Sequence, residues 1–220
     1  MLKVRISEEI KAACPDYTVA VLTAVVHNSP YSEGLWNEIN QLTDEYRKKY
    51  TVDSIKEMRT IQATREAYKK CGKDPSRYRP AAEALCRRIL KGNELYKVDT
   101  VVDLVNAVSM ESGFSIGAFD ADKVQGDTIT YGIGKEGEPY EGIGRGELNI
   151  QGLPVWRDAV GGFGTPTSDH ERTKLSVDTT RLLVTINSYD GSTGLQDAVD
   201  YMTLLLVRYA AAKDIHCIVY

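Results

Sequence analysis

The sequence predicts an α+β fold in which a helical N-terminal half packs on a mainly antiparallel β-sheet or sandwich. Apolar residues recur at helical spacing through most of the first ninety residues. From about residue 113 onward, short alternating runs separated by glycine-rich turns replace that spacing, which is typical of antiparallel strands. Helices that flank a run of strands are characteristic of α+β proteins. No linker, repeat or low-complexity stretch interrupts the 220 residues, so a single domain over 1–220 is predicted.

The first fifty residues are predicted to form two strands and two helices. The β-branched apolar run at 17–27 indicates a buried strand, and Pro15 prevents the preceding helix from continuing. Ser32 is a suitable N-cap for the second helix. In order, the elements are a strand at 3–7, a helix at 7–13, a strand at 17–27 and an amphipathic helix at 32–50.

Three further helices are predicted between residues 51 and 111. Thr51 is expected to cap a helix that runs to Cys71, after which Gly72 supplies the C-terminal stop. Pro80 suits the first turn of the next helix, which Gly92 closes. The third helix, at 99–111, has an apolar side that is expected to face the core.

The C-terminal half is predicted to consist of strands at 128–133, 147–150, 183–187 and 215–220, with one helix at 195–213. The string Gly132-Ile-Gly134-Lys-Glu-Gly137 has the G-x-G-x-x-G spacing of dinucleotide sites, which work only where a strand leads into a helix. Proline and more glycine follow, so no helix begins there. The string is therefore interpreted as a turn between strands.

Composition and motifs narrow the class of protein. A chain with 42 % hydrophobic and 26 % charged residues has an ordinary globular composition. No apolar run reaches the roughly 18 to 20 residues of a membrane span, and the N-terminus lacks the hydrophobic core of a signal peptide. A cytoplasmic protein without membrane association is expected. The four cysteines and three histidines have no metal-ligand or disulfide spacing, so no metal and no cofactor are expected.

The net charge of −4 conceals a basic segment. Residues 65–91 hold nine basic and three acidic residues, a net charge of +6, which leaves −10 for the remainder. A basic strip on an acidic body suits contact with phosphates, although a solvated helix face is the alternative. The residues predicted to contact RNA are Lys69, Lys70, Lys73, Arg77, Arg79, Arg87, Arg88 and Lys91.

The helix at 99–111 carries two polar residues, Asp103 and Asn106, roughly opposite its apolar side. If this second side lines a cleft, the Asn106 amide can donate to a carbonyl and accept from a hydroxyl or an amine. Simple solvent exposure is the alternative.

The segment at 160–174 combines glycine, hydroxyl groups, carboxylates and an imidazole. Gly161 and Gly162 could offer backbone N–H groups to an oxyanion. Asp169, His170 and Glu171 could orient a water molecule or recognise an amine. A mobile polar loop is the alternative interpretation.

Three stretches, taken in order and spacing, resemble a known family. They are Asp74-Pro-Ser-Arg-Tyr-Arg-Pro-Ala-Ala-Glu-Ala-Leu-Cys-Arg-Arg, Val101-Val-Asp-Leu-Val-Asn106 and Gly117-Ala-Phe-Asp-Ala-Asp-Lys123. Over residues 53–187 the chain resembles the editing domain of the phenylalanyl-tRNA synthetase β subunit, and specifically its free-standing relatives. In the synthetase, that domain hydrolyses tyrosine wrongly esterified to tRNA. Nothing resembles the aminoacylation machinery, so the resemblance implies a deacylase that acts in trans on aminoacylated tRNA.

The resemblance also implies site residues. Asn106 matches an asparagine of the family's editing pocket, and Glu171 falls where the family has a pocket glutamate, so these two are the predicted catalytic residues. Gly117 stands where the synthetase often has a histidine, which argues against tyrosine as the preferred substrate. The residues predicted to bind the substrate are Gly117, Ala118, Gly161, Gly162 and His170.

Two other functions stay open at the level of sequence. A non-catalytic protein of the same fold could bind tRNA or other RNA after losing the pocket with the histidine. A protein that binds a small molecule, such as a free amino acid, would need no RNA contact, and its basic strip would be a solvated face.

Overall fold

A computed structural model describes residues 2–220, which form six α-helices and ten β-strands. The helices are α1 (Glu8–Ala13), α2 (Glu33–Lys49), α3 (Arg59–Lys70), α4 (Ala81–Leu90), α5 (Thr100–Ser112) and α6 (Leu195–Ala210). The strands are β1 (Lys3–Ile6), β2 (Thr18–Val25), β3 (Ser115–Asp120), β4 (Thr128–Ile133), β5 (Glu141–Gly142), β6 (Gly146–Glu147), β7 (Pro154–Arg157), β8 (Gly162–Gly164), β9 (Arg181–Ser188) and β10 (Lys213–Val219).

Two four-stranded sheets form the centre of the molecule. The inner sheet, with strand order β10-β2-β9-β3, is antiparallel throughout. The outer sheet, with strand order β1-β4-β7-β8, is antiparallel except for the parallel pair β1 and β4. Strands β5 and β6 form a separate two-residue hairpin. The predicted α+β class with a mainly antiparallel sandwich is confirmed.

Alternation along the inner strands separates two hydrophobic cores. On β9, Val184 and Ile186 face the core that contains the buried sides of α2, α4, α5 and α6. Leu183, which lies one residue before Val184, faces the second core, which contains Tyr131 and Trp156 of the outer sheet. Successive side chains of a strand point to opposite faces. The inner sheet is therefore covered by helices on one face and by the outer sheet on the other.

Local signals place most of the predicted elements correctly. Ser32 caps α2 by accepting the N–H of Leu35 at 3.4 Å, and Asp99 caps α5 by accepting the N–H of Val102 at 2.8 Å. Gly113 ends α5 in the left-handed conformation. Within residues 2–220, no helix combines the length and the apolar character that crossing a bilayer requires.

The helix predicted to begin at Thr51 begins only at Arg59. Thr51 and Ser54 bond to each other's backbone N–H groups, at 2.9 and 3.4 Å, and fold a separate 3-10 turn at Ser54–Glu57. Met58 then adopts an extended conformation before α3. Mutual side-chain capping explains the break, because hydroxyl residues compete with helical hydrogen bonds.

The predicted strand at 147–150 and the predicted helix end at 213 are also wrong. Of the residues predicted as that strand, only Glu147 lies in a strand, at the end of β6. Helix α6 ends at Ala210 because Ala211 adopts the left-handed conformation, with φ of 45°, and β10 starts at Lys213. Strands β3, β7 and β8 were not predicted, because β3 and β8 contain glycine, β7 begins with proline, and all three are too short for a clear alternation.

Candidate functional site

Strand β3 forms one edge of the inner sheet. It pairs with β9, where Gly117 lies opposite Thr185, and no strand among residues 2–220 pairs with its other edge. Its sequence, Ser-Ile-Gly-Ala-Phe-Asp, favours a turn because glycine and small residues are uncommon in strands. Pairing with the buried β9 makes it a strand, and its free edge borders the candidate site.

The ring of Phe119 fills the position where a side chain at 117 would lie. Residues two apart on a strand share a face, and Phe119 packs among residues of the outer sheet. The face of β3 at residue 117 is therefore also turned toward the outer sheet. A Cβ atom added at Gly117 would lie 2.5 Å from Cζ of Phe119, and one added at Gly164 of β8 would collide with the same atom. Phe119 also packs edge-on against Phe163, with 4.8 Å between ring centroids. The two glycines are therefore required by an aromatic contact between the sheets.

Two buried hydroxyl groups near Gly117 lack a hydrogen-bond partner. Ser115 Oγ and Thr185 Oγ1 bond to no atom of the described chain, and both residues are at most 1 % exposed. Thr185 Oγ1 would lie 3.1 Å from a Cβ atom at Gly117. Buried polar atoms are nearly always paired. This spot between the sheets is therefore suited to a water molecule or to a polar atom of a ligand.

The segment from Asp169 to Glu171 is held beside β3 by a compact turn. The Thr165 hydroxyl accepts the N–H groups of Thr167 and Ser168, which reverses the chain after β8. His170 N–H then donates to Phe163 O at 2.9 Å, and Asp169 O accepts the N–H of Ile143 at 2.9 Å. Backbone bonds on two sides therefore give this segment a defined conformation.

Asp169 connects this segment to β3. Its Oδ2 accepts the N–H of Ala118, which points out of the free edge, at 3.4 Å. The residue is half-buried, and Oδ1 is not among the fully buried atoms that lack a partner. Burial raises the pKa of Asp169 to about 8, and the Ala118 N–H offsets only part of that effect. The protonated form of this carboxyl group therefore persists to a higher pH than that of an ordinary aspartate.

His170 and Glu171 have defined hydrogen-bonding states. His170 Nδ1 accepts the N–H of Arg172 at 3.0 Å, which assigns the ring proton to Nε2. Burial, followed by the charge of Arg172, lowers the pKa of His170. Glu171 accepts Lys174 Nζ at 2.5 Å and the N–H of Gly144 at 3.3 Å. The Lys174 hydrogen bond is the main cause of the lowered pKa of Glu171, so this carboxylate is ionised.

The two polar residues of α5 differ in their surroundings. Asp103 is 1 % exposed and accepts Trp36 Nε1 at 2.7 Å and the N–H of Val98 at 2.9 Å, so it is a buried structural residue and lines no cleft. Burial raises its pKa. Asn106 is half-buried, one turn after Val102, and its side chain makes no hydrogen bond within residues 2–220. Its amide is thus available, although no hydrogen bond links it to the 169–171 segment.

Gly161 and Gly162 lie at the hairpin between β7 and β8. Asp158 Oδ1 accepts the N–H groups of Val160 and Gly161, at 2.9 and 3.2 Å. The Gly161 N–H is therefore already occupied and is not free for an oxyanion. Gly162 is buried, and a Cβ atom there would lie 3.1 Å from the ring of Tyr140.

The centre of the basic segment is a buried carboxylate, that of Glu83. It is 1 % exposed and bonds to Arg65 Nη1 at 2.9 Å and to Arg87 Nε at 2.8 Å. Arg79 Nε lies 3.7 Å away and its side chain is 46 % exposed. Three guanidinium groups thus surround one carboxylate and join α3 to α4. The excess positive charge lies at the protein surface.

The predicted RNA contacts differ in accessibility. Lys73 is 7 % exposed and donates to Asn149 O and Gln151 O, both at 2.7 Å, so it is a structural residue. Arg88 stacks on Tyr96, with its guanidinium carbon 3.9 Å from the ring centroid. Lys69 pairs with Glu66 at the surface. Within residues 2–220, the exposed residues of the set that form no salt bridge are Lys70, Arg77 and Lys91.

A groove of about 720 Å³ lies at the opposite edges of the two sheets, between β1 and β10. Its walls are mostly apolar, with Val4, Val21 and Ile218 among them, and Asp122 and Asp214 also line it. None of the residues predicted for catalysis, substrate binding or RNA contact lies there. The groove is thus separate from the candidate site.

The fold and the site together define an α+β domain with a polar site between the free edge of β3 and the Asp169–Glu171 segment. The sequence profile of the B3/4 domain matches residues 63–210, which is more than half of the chain. The chain therefore belongs to the B3/4 domain family. This domain is found in the phenylalanyl-tRNA synthetase β subunit, so the protein is related to a tRNA synthetase.

Among solved structures, the chain is similar to an N-terminal fragment of the phenylalanyl-tRNA synthetase β subunit from Pyrococcus horikoshii. The sequences are 14 % identical, the TM-score is 0.48, and the similarity covers 97 % of this chain and 50 % of that one. The chain thus spans half the length of the fragment. A comparison with curated protein sequences found no significant match.

Proposed function

We propose that the chain binds aminoacylated tRNA and hydrolyses, in trans, the ester bond of a mischarged one. Membership of the B3/4 family supports a tRNA partner. The observation that carries the hydrolytic part is the run of Asp169, His170 and Glu171, which backbone hydrogen bonds hold beside the free edge of β3. This run offers a carboxyl group, a neutral imidazole and a carboxylate within three residues.

The chemistry of the substrate suits such a site. An aminoacyl-tRNA ester is already activated, so hydrolysis requires a positioned water molecule and stabilisation of the developing oxyanion. Neither step requires a cofactor. Separate editing sites are useful because a binding pocket discriminates only weakly between similar side chains.

The proposal gives each site residue a role. Asn106 holds the aminoacyl group through its unoccupied amide. Glu171 binds the substrate amine or directs the attacking water, using the oxygen that accepts only the long bond from Gly144. His170 donates through Nε2, and Gly117 and Ala118 form the wall at the sheet edge. Gly162 lies nearby, whereas the N–H of Gly161 is bonded to Asp158.

Substrate preference follows from position 117. The ring of Phe119 occupies the space above Gly117, and no imidazole is present there to bond to a tyrosine hydroxyl. A site that hydrogen-bonds a hydroxyl rejects analogues without it, and the converse loss of a partner weakens hydroxyl recognition. We therefore propose that tyrosine is a poor substrate and that another side chain is preferred.

Single-turnover deacylation with a panel of mischarged tRNAs tests the proposal. Hydrolysis of at least one ester is expected, and Asn106→Ala should slow it by about ten- to a thousandfold, the range for one positioning or oxyanion group. Glu171→Gln should also slow it, because the amide keeps the shape but not the charge. Asn40→Ala and Glu45→Gln, both exposed on α2, are matched controls. Absence of hydrolysis by the wild type, or full activity of both site variants, contradicts the proposal.

One observation favours a second function, the binding of a small apolar molecule. The groove between β1 and β10 has the volume of a small-molecule site, about 720 Å³. A protein of this kind would show no affinity for tRNA, whereas a non-catalytic RNA-binding relative would bind tRNA without turnover. Measurements of tRNA affinity and of turnover therefore separate the three functions.

A further inference from the structure

Asp169 differs from the other carboxylates around the candidate site because it has no cationic partner. Among residues 2–220, Glu171 pairs with Lys174, Asp158 with Arg172, and Asp120 with Lys123, but no salt bridge includes Asp169. Within residues 2–220, the only hydrogen bond of its side chain is the one that Oδ2 accepts from Ala118. Carboxyl groups with a shifted pKa and no counter-ion occur often at functional sites.

The second oxygen of Asp169 is available to a ligand. Oδ1 forms no hydrogen bond within the described chain, and it lies toward Gly164, where an added Cβ atom would be 3.4 Å from it. The Phe119 ring fills the space at Gly164, so a ligand reaches Oδ1 from the side on which Asp169 is exposed to solvent. The Ala118 N–H fixes the other oxygen, so the carboxyl group has a defined orientation with Oδ1 open. Gly117, which has no side chain that could transfer a proton, directly precedes Ala118.

We propose that Asp169 is the proton donor of the reaction and protonates the ribose oxygen that leaves the aminoacyl ester. This inference rests on the proposed function, and it assigns a catalytic residue that the family resemblance does not supply. The proton donor is thus a loop residue next to β3. On β3 itself, Gly117 occupies the position of the family histidine.

Hydrolysis of the ester forms one bond and breaks another. The water oxygen forms a bond to the acyl carbon, and the bond between that carbon and the ribose oxygen breaks. The ribose oxygen takes the proton of the Asp169 carboxyl group, which becomes a carboxylate. The proton lost by the water restores the carboxyl group. The products are the free amino acid and tRNA with its hydroxyl group regenerated.

The surrounding groups leave Asp169 as the residue that titrates above neutral pH. Tyr140 on the neighbouring loop has a pKa raised by burial, and His170 has one lowered by burial, so both are neutral. Glu171 is ionised, Arg172 is positively charged, and Asp120 on β3 pairs with Lys123. With its own pKa near 8, Asp169 loses its proton between about pH 7 and 9.

The test is the ratio of single-turnover rates of the wild type and Asp169→Asn between pH 6.5 and 9.5. The amide oxygen can still accept the Ala118 N–H, so the fold is retained, but an amide cannot donate the proton. At pH 7 the variant should be about a hundred- to ten-thousandfold slower, the usual range for general acid catalysis. The rate of the wild type divided by that of the variant should fall about tenfold from pH 7 to 9, because the wild type loses the protonated form of Asp169.

Titration of the substrate amine affects both proteins and cancels in the ratio. Asp169→Glu should recover part of the rate and of the pH dependence, and Asp122→Asn, an exposed carboxylate, should behave as the wild type. An active wild type with a ratio that stays constant with pH overturns the proton-donor role and leaves the deacylase function standing. A wild type without any hydrolysis overturns both.

Discussion

The ring of Phe119 packs against both Gly117 and Gly164, and it leaves no space for a side chain at either position. The Phe119 ring lies between the two glycines and reaches Phe163 of the outer sheet. Close packing leaves no space for an added methyl group at such a point. The glycine at 117 therefore has a packing explanation.

Gly117→Ala should destabilise the protein by about 1 to 3 kcal/mol, the usual cost of overpacking a core. The cause is the 2.5 Å approach of the new Cβ atom to Cζ of Phe119. Urea denaturation monitored by circular dichroism measures the loss. In a double-mutant cycle with Phe119→Leu, the two substitutions should cost less together than the sum of their separate effects. Strict additivity would contradict the contact.

Gly34→Ala is the matched control for that substitution. Gly34 lies exposed in the first turn of α2, and the nearest atom to an added Cβ is the side-chain atom Tyr209 Cε1 at 3.2 Å. Alanine is the better helix former, and the tyrosine ring can move, so the stability should change by less than about 1 kcal/mol.

Helix α5 is the central element of the helical layer. It packs between α4, α6 and the inner sheet, and nine of its thirteen residues are buried. Its first turn is fixed by Asp99, which is 3 % exposed, and its end is fixed by Gly113. Because α5 also carries Asn106 and leads directly into β3, the start of this helix sets the position of the candidate site.

Asp99→Ala should lower the free energy of unfolding by about 1 to 2 kcal/mol, because the Val102 N–H loses its acceptor in a buried setting. Ser32→Ala, at the N-cap of α2, is the comparison, since its bond to Leu35 is long at 3.4 Å. The second loss should be smaller. Thermal or urea unfolding measures both. A larger effect at Ser32 would contradict the assigned importance of the α5 cap.

Across the whole molecule, the basic charge is gathered where α3 and α4 meet. Glu83 binds Arg65 and Arg87 internally, so these arginines hold the two helices together. Substitution of Arg87 would therefore damage the fold along with any RNA contact. The charges that can be tested cleanly are Lys70, Arg77 and Lys91, which are exposed and form no salt bridge within residues 2–220.

Replacing Lys70, Arg77 and Lys91 by alanine should weaken tRNA binding irrespective of the amino acid attached. In single-stranded and duplex nucleic acids, each neutralised phosphate contributes about −0.7 to −0.9 to the slope of log affinity against log salt. The triple variant should therefore have a shallower slope, by about two. Filter binding or fluorescence anisotropy at several salt concentrations measures it.

The control replaces Arg5, Lys48 and Lys213, one arginine and two lysines exposed elsewhere on the chain. This variant changes the net charge equally but should keep nearly the same affinity and slope. Equal losses in both triple variants would indicate a general charge effect and exclude a defined RNA surface at α3 and α4.

Local chemistry in the sequence determined the fold class, most helix positions and the family. The cap at Ser32 and the glycine stops at Gly72 and Gly92 act over a few neighbouring residues, so a linear pattern reveals them. The change from helical to alternating spacing is likewise a local property. The break before Arg59 was missed because two hydroxyl residues cap each other there.

Only the tertiary structure decided which polar residues are available and which are structural. Asp103 and Asn106 are three residues apart on one helix, yet only Asp103 meets the Trp36 indole and is buried. Lys73 belongs to the basic segment by sequence, but two carbonyls from residues 149 and 151 surround its ammonium group. Burial raises the pKa of Asp169, and its hydrogen-bond donor Ala118 is 51 residues away along the chain. Burial and partners depend on contacts between distant segments, and a linear pattern does not contain them.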